Sequence, residues 1–216
     1  MAKFEVRQYD PNDIPPEDAN WKLHGTDGNW ESVVDPKYGT IEHVTVVQDG
    51  VPVFDKIDMA LKPGAYALPV RINPQGQAEF LIPLERRILL RNEEGERGNV
   101  MIPNVPQVLI LEGEEPIDAA RRCLTNETGY SEATITPLEE MYFAPSNSSA
   151  PMYFFMGIVP YEQQPIGQTL LGDQEIEVKP WMTYQEVRAM RIQDGSTRIA
   201  LDLVTQLLDP ASLSFT

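Results

Sequence analysis

The sequence predicts an α/β (α+β) protein with a mixed sheet, because strand-like and helix-like segments alternate irregularly along its 216 residues. Segments rich in β-branched residues flank Asp49-Gly50, a dipeptide typical of two-residue hairpin turns. Pro116 and Gly129 bracket a stretch with apolar residues at helical spacing, as Pro near the start and Gly after the end of a helix commonly do. Helical spacing returns near the end of the chain, between Ile199 and Leu208.

The chain opens with a stretch that predicts no regular element. Residues 10–20 read DPNDIPPEDAN, which is rich in Pro and has neither the strand nor the helix period, so we expect the first forty residues to form an irregular arm. The first clear element is a β-hairpin, with strands from Ile41 to Val47 and from Val51 to Ile57.

A second pair of strands is predicted from Ala65 to Ile72 and from Ala78 to Leu84. The turn residues Asn73-Pro74-Gln75-Gly76 separate the two segments. The stretch from Arg87 to Arg91 begins a further strand. This part of the chain is therefore expected to be sheet.

The second half of the chain predicts two more strands and two more helices. Leu138 to Ala144 and Met152 to Val159 are the strands, and they flank a loop from residue 145 to 151. Thr183 and Glu186 have the spacing of a capping box, which predicts a helix that runs through Ile192. The apolar stripe of the last helix consists of Ile199, Leu203, Val204, Leu207 and Leu208.

Composition excludes several classes of protein. The 33 acidic residues outnumber the 17 basic ones, and the resulting net charge of −16 has the wrong sign for contacts with nucleic acid or anionic membranes. The apolar runs are too short to span a bilayer, and the N-terminus lacks the apolar region of a secretory signal, so we expect a cytoplasmic protein. Cys123 is the single cysteine, which excludes an intramolecular disulfide and a cysteine-cluster metal site.

The segment from Val105 to Tyr130 resembles the Nudix box. That pattern is Gly, five residues, Glu, seven residues, and then Arg-Glu-aliphatic-any-Glu-Glu-any-Gly-aliphatic. The positions that match it are Glu114, Arg122, Leu124, Glu127, Gly129 and Tyr130. The positions that depart from it are Val108 in place of Gly, Cys123 in place of Glu and Asn126 in place of Glu.

Features outside the box resemble the ADP-ribose pyrophosphatase branch of the Nudix superfamily. They are Gly64-Ala65 at the start of a strand, Arg86-Arg87 before the box, Pro145 sixteen residues after Gly129, and the segment from Ile176 to Trp181. The resemblance implies a Nudix-type α/β/α sandwich with a mixed sheet over residues 61–209, followed by a short tail over residues 210–216. It also implies that residues 1–60, with the hairpin, form a small dimerisation domain, and hence a homodimer.

The resemblance implies a magnesium site on the box helix. Diphosphate hydrolysis in this family uses Mg²⁺, which requires hard oxygen ligands. Cys123, Asn126 and Glu127 share one helix face, where a family member would present three carboxylates. A thiol and an amide stand in place of two of them, so we expect weakened binding of Mg²⁺ or Mn²⁺. If metal is bound, Glu127 is its principal ligand, with the carbonyl oxygens of Asn126 and Val108.

Glu114 and Arg122 correspond to a salt bridge that holds the loop and helix of the box together, and Gly129 closes the helix. The alternative is that the two charged residues lie on a solvated helix surface. Cys123 is a packing residue or, alternatively, a reactive thiol.

The remaining site residues also follow from the resemblance. Arg86 and Arg87 would bind a phosphate, although a charged pair on a strand edge is an equal alternative. Pro145 would line the substrate site. Glu175, or else Asp173, lies in the loop that carries the general base of the ADP-ribose branch, and the alternative is an ordinary acidic loop.

Two functions are therefore open. The first is a Nudix-fold protein that binds a nucleotide-sugar-like molecule and hydrolyses it weakly or not at all, because its metal site is degraded. The second is an active Mg²⁺-dependent pyrophosphatase of ADP-ribose or related nucleotide sugars, with Glu127 and Glu175 as catalytic residues. The net charge of −16 argues against a third possibility, a nucleic-acid decapping role.

Overall fold

The structure is a computed structural model, and it describes residues 4–8, 39–87, 100–142, 148, 150–169, 175–208 and 213. The predicted arm over residues 10–20, Pro145, Asp173 and the part of the predicted strand beyond Arg87 lie outside the described residues. The chain divides into two compact units, of which one comprises residues 1–63 with 142–151 and the other residues 64–141 with 152–216.

The first unit contains a three-stranded antiparallel sheet of β1 (Phe4–Gln8), β2 (Gly39–Gln48) and β3 (Val51–Leu61), with β2 in the centre. Asp49 and Gly50 both have positive φ, 51° and 86°, as the predicted two-residue hairpin turn requires. The hairpin is therefore confirmed. The expectation of an arm without strands is wrong at β1, whose five residues carry a signal too short to separate from an irregular segment.

The second unit contains two sheets and three helices. Its strands are β4 (Gly64–Ile72), β5 (Ala78–Phe80), β6 (Leu84–Arg87), β7 (Val100–Pro103), β8 (Gln107–Leu109), β9 (Thr134–Tyr142), β10 (Pro151–Ile158), β11 (Ile176–Glu177) and β12 (Met182–Thr183). Its helices are α1 (Pro116–Thr128), α2 (Tyr184–Ala189) and α3 (Gly195–Leu207). The larger sheet has the order β12-β5-β4-β10-β9, with β8 also paired to β4. Because β10 is parallel to β4 while β5 and β8 are antiparallel to it, this sheet is mixed.

Helices pack on both faces of the larger sheet. Side chains alternate along β4, so Leu68 and Val70 face the core beneath α2 and α3, while Ala65 and Ala67 face the core beneath α1. The core beneath α2 and α3 also contains Phe154, Met156, Val187, Ala200 and Val204. The core beneath α1 also contains Phe155, Ala119, Ala120 and Leu124. This arrangement is the α/β/α sandwich with a mixed sheet that the sequence predicts.

The smaller sheet consists of β11, β6 and β7, with β6 in the centre. The sequence predicts a single strand from Ala78 to Leu84, and this is wrong, because β5 ends at Phe80 and β6 starts at Leu84 in a different sheet. Pro83 lies between them and has no N–H group with which to continue a ladder.

The helices begin largely where local signals place them. Pro116 starts α1, and Gly129, with φ of 81°, ends it by donating its N–H to the Thr125 carbonyl at 2.8 Å. Thr183 and Glu186 form the predicted capping box of α2. That helix ends at Ala189 rather than Ile192, and a separate helix begins after Asp194, whose carboxylate accepts from the Thr197 N–H at 2.7 Å. Within the described residues, no helix has the length and apolarity needed to cross a membrane.

Replacement of Gly129 by Ala tests the end of α1, and Gly76→Ala is its matched control. Both glycines have φ near 80°, which costs an L-residue about 1–2 kcal/mol. A Cβ at Gly129 would also lie 3.0 Å from the Pro165 Cβ and 3.1 Å from the Gly167 N, whereas a Cβ at Gly76 would meet nothing within 4 Å. We expect urea unfolding to show a loss about 1 kcal/mol larger for Gly129→Ala than for Gly76→Ala. Equal losses would contradict the crowding at Gly129.

Candidate functional site

Cys123 and Glu127 lie one turn apart on the face of α1 that packs toward the sheet. Residues at i and i+4 share a helix face. Because this face packs against the sheet, both side chains are buried, with 1% and 5% of their surfaces exposed. The Glu127 carboxylate accepts a hydrogen bond from the backbone N–H of Gln107 at 3.3 Å, and it also hydrogen-bonds with the Cys123 thiol. Glu127 is therefore held inside the protein by its own neighbours.

A second buried carboxylate, Glu85 of β6, lies close to Glu127. It is 7% exposed, and it accepts hydrogen bonds from the Asn104 and Gln107 side-chain amides. Arg87 Nη2 forms an ion pair with it at 2.9 Å. Gln107 thus bonds to both acids, to Glu85 through its side chain and to Glu127 through its backbone. We call Glu85, Asn104, Gln107, Cys123 and Glu127 the buried acid cluster.

The electrostatics of the buried acid cluster favour its neutral forms. Burial, together with the charge of Glu85, raises the pKa of Glu127 to about 8. Burial also raises the pKa of Glu85, although Arg87 and the Asn104 amide oppose that shift. The pKa of the Cys123 thiol lies well above its usual value, first because of burial and then because of Glu127. At neutral pH, Cys123 is therefore a thiol and Glu127 is largely a carboxylic acid.

Asn126 and Val108, the other predicted metal ligands, are placed differently. The Asn126 carbonyl accepts from the Thr169 N–H at 2.8 Å, and Val108 lies opposite Ala65 in the ladder of β8 with β4. The Pro106 carbonyl points toward β4, where it accepts from the Ala67 N–H. Backbone groups point to the same side at every second residue of a strand, so those of Val108 also point toward β4 and those of Gln107 point away from it. The structure thus brings the backbone of Gln107, rather than that of Val108, against Glu127.

Arg86 and Arg87 point to opposite faces of the smaller sheet. Arg87 shares the face of Glu85, two residues away, whereas Arg86 points to the other face and forms an ion pair with the Glu175 carboxylate. The Arg86 N–H also donates to the Glu175 carbonyl at 3.0 Å. The structure therefore brings the predicted phosphate ligand Arg86 together with the predicted base Glu175, and it does not form one clamp from the two arginines.

Glu114 and Arg122 form a two-point ion pair between the loop before α1 and the middle of that helix. Arg122 Nε lies 2.8 Å from Glu114 Oε1, and Arg122 Nη2 lies 2.7 Å from Glu114 Oε2. Arg122 also donates to the Leu109 carbonyl at 2.9 Å, and Glu114 accepts from the Leu111 N–H at 2.9 Å. The hydrogen bonds from Arg122 hold the pKa of Glu114 below its usual range. The pair ties the end of β8 and the following loop to α1.

The segment over residues 165–169 covers the other end of α1. The Ile166 N–H donates to the Gly129 carbonyl at 2.9 Å, and the Gln168 side-chain amide donates to the Glu127 carbonyl at 2.7 Å. Together with the bond from Thr169 to Asn126, these contacts satisfy carbonyls that a helix end leaves without partners. The helix that carries the site is therefore fixed at both ends.

Sequence reasoning missed Glu85, Asn104 and Gln107. The first is an acid that directly precedes the arginine pair on a strand, and the other two are amides within an otherwise apolar run, VMIPNVPQVLI. A polar residue in such a run is a signal for burial with a hydrogen-bond partner. The identity of the partners depends on the packing of three separate elements, which the local sequence does not encode.

The donors in the buried acid cluster do not fit Mg²⁺ as the structure arranges them. Glu127 already accepts from two protein donors and Glu85 from three, while a thiol is a poor ligand for a hard cation. Among the residues that the structure describes, no three acidic, His or Cys side chains are placed to hold a metal ion. The available oxygens serve the protein's own hydrogen bonds.

Loss of Arg122 tests the contribution of the ion pair to stability. Arg122 and Glu114 are 25% and 16% exposed, whereas the neighbouring pair of Arg121 and Asp118 is 50% and 58% exposed. We expect Arg122→Ala to lower the free energy of unfolding by about 2 kcal/mol, because it leaves a part-buried carboxylate without its partner. Arg121→Ala, the matched control, should change it by less than about 0.5 kcal/mol. Similar effects in chemical denaturation would remove the structural role of Arg122.

The raised pKa of Glu127 predicts that its contribution to stability falls as the pH rises from 4.5 to about 8. A group whose pKa rises from 4.5 to about 8 on folding contributes stability that is complete below pH 4.5 and is lost as the pH rises through 8. We expect Glu127→Gln, which cannot ionise, to show a smaller drop in Tm between about pH 6 and about pH 9 than the wild type. The exposed Glu132→Gln is the control and should leave the drop unchanged. Parallel pH profiles for all three proteins would contradict the burial of an ionisable Glu127.

Comparison with known proteins bears on the fold. No family model matches the chain, and no curated protein sequence matches it. A solved structure described as the crystal structure of ADP compounds hydrolase is similar, with a TM-score of 0.55 and 20% sequence identity over 85% of this chain and 94% of that chain. At this identity the similarity shows the fold alone. The chain therefore has a Nudix-like α+β fold with a mixed sheet and few helices.

Proposed function

We propose that this chain is a Nudix-type protein that binds a nucleoside-diphosphate derivative, such as a nucleotide sugar, and hydrolyses it weakly or not at all. The observation that carries the proposal is the burial of Glu127 against the Cys123 thiol and the Gln107 N–H. The fold that the chain shares with an ADP compounds hydrolase supports the class of ligand.

The chemistry of the box helix supports weak or absent turnover. Hydrolysis of a diphosphate needs positive charge to neutralise the phosphates and to activate water, and Mg²⁺ supplies both when carboxylates hold it. Cys123 and Asn126 carry no charge where the box pattern has acids, so two formal charges are missing from this helix face. The scaffold of the box, in contrast, is complete, with Glu114, Arg122 and Gly129 each in contact with its neighbours.

The alternative is an active pyrophosphatase that depends on Mg²⁺ or Mn²⁺. The observation in its favour is Glu85, because it adds a second buried carboxylate next to Glu127. In this case Glu127 would be the principal ligand, and the half-exposed Glu175 would act as base after release from Arg86. Both acids would then have to exchange protein partners for the metal or for water.

The ligand site and the assembly complete the proposal. Arg86, Arg87 and Pro145 are the candidate ligand-binding residues. We place the protein in the cytoplasm. We also propose a homodimer that forms through residues before about 60, because this region resembles the dimerisation domain of the ADP-ribose pyrophosphatase branch. Light scattering tests the assembly, since a mass of 24.3 kDa at micromolar protein would identify a monomer.

A turnover screen separates the two functions. We expect ADP-ribose and other nucleotide sugars, incubated with the protein and millimolar Mg²⁺ or Mn²⁺, to release phosphate after phosphatase coupling at close to the rate without protein. Glu127→Gln should give the same result as the wild type. Metal-dependent release by the wild type that Glu127→Gln abolishes would instead establish the active pyrophosphatase.

A further inference from the structure

We infer that Arg87, and not a divalent cation, supplies the positive charge of this site, so that a nucleoside diphosphate binds there without metal. The inference rests on the proposed function for the identity of the ligand. Its metal-free character rests on the contacts of the buried acid cluster. In this cluster both buried acids already accept hydrogen bonds from protein donors.

Arg87 stands where a cation would be needed. Its Nη2 lies 2.9 Å from Glu85 Oε2, which is the distance of a direct ion pair. A Mg²⁺ ion on the same carboxylate would lie beside the guanidinium, and two positive charges at that separation repel each other. The charge of Glu85 is thus compensated by a residue of the same strand.

Glu127, the other buried acid, is also a poor ligand for a cation. Glu127 accepts from the Gln107 N–H and hydrogen-bonds with the Cys123 thiol, so a metal would have to displace donors that the protein cannot easily satisfy elsewhere. Mg²⁺ loses its own water reluctantly and demands near-octahedral oxygen ligands. Replacement of these protein hydrogen bonds by such an ion gains little.

Arg87 retains donors for an anion. A guanidinium has five N–H groups, and the ion pair that the structure describes uses Nη2. The side chain is 31% exposed, so part of it is accessible to a ligand. A guanidinium commonly donates two parallel N–H bonds to two phosphate oxygens, and a diphosphate presents several such oxygens. Arg87 can therefore neutralise Glu85 and bind the diphosphate at the same time.

The exposed ion pair of Arg121 with Asp118 on α1 provides a matched control. Its residues carry the same charges as Arg87 and Glu85, but they have no place in the proposed ligand site. Removal of either pair leaves the net charge unchanged. A loss of binding specific to the Glu85–Arg87 pair would therefore reflect its position rather than general electrostatic attraction.

The first experiment measures metal binding by the intact protein. We expect Mg²⁺ or Mn²⁺ alone, at about 10 mM, to leave Tm unchanged, whereas a site with a Kd of about 1 mM would raise it by about 3–6 °C. Asn126→Glu, which adds a carboxylate beside Glu127, should gain a metal-dependent rise, and Thr125→Glu, with the same charge on another side of α1, should not. A metal-dependent rise in the wild type that Glu127→Gln removes would overturn the inference.

The second experiment measures ADP binding by calorimetry, with Mg²⁺ and with a chelator. We expect equal affinity in both conditions and a loss of about tenfold or more in the double variant Glu85→Gln with Arg87→Gln, which removes the buried pair together. The control Asp118→Asn with Arg121→Gln, which removes an exposed ion pair outside the site, should change the affinity by less than about twofold. Binding that requires Mg²⁺ would overturn the inference and leave the proposed function intact. An absence of ADP binding in both conditions would overturn the role of Arg87 in nucleotide recognition and count against the proposed function as well.

Discussion

The two bonds that Gln107 makes to buried acids are the constraint on which this site depends. Its backbone N–H faces Glu127 because β8 pairs with β4 in a fixed register, and its side chain reaches Glu85 on another sheet. A buried carboxyl group without hydrogen bonds would be strongly destabilising. The larger sheet, the smaller sheet and α1 therefore have to meet at this residue, which fixes their relative positions within the second unit.

The same constraint limits the chemistry of the box helix. A helix face whose carboxylates are exposed to solvent can bind cations. This face of α1 instead packs toward the sheet and buries Cys123 almost completely. A third carboxylate at that position would add a charge to a cluster that already has two acids and one guanidinium. A small neutral side chain is compatible with the burial, and its thiol can bond to Glu127.

Local signals predicted those elements that depend on local interactions. The turn at Asp49-Gly50, the two ends of α1 and the capping box at Thr183 are each determined by a few adjacent residues, and each is present in the structure. The break at Pro83 and the length of α2 were not predicted. The strand end depends on the sheet with which β6 pairs, and the helix end depends on how the chain continues into α3. The site shows the same division. The sequence identified Glu127 on α1. It did not identify Glu85, because the proximity of Glu85 to Glu127 depends on the packing of β6 against α1 and not on the local sequence.

The ion pair of Glu114 with Arg122 and the helix positions that were predicted to hold a metal have different physical requirements. Glu114 and Arg122 hold α1 against the preceding loop, so their contribution to stability does not depend on any ligand. Carboxylates for a metal repel each other in its absence and are stabilised when it binds. A protein that has no cation at this helix is therefore more stable with neutral groups at the ligand positions, provided that the scaffold is retained. Under the proposed function, that difference accounts for an intact ion pair of Glu114 with Arg122 on the same helix as the neutral side chains Cys123 and Asn126.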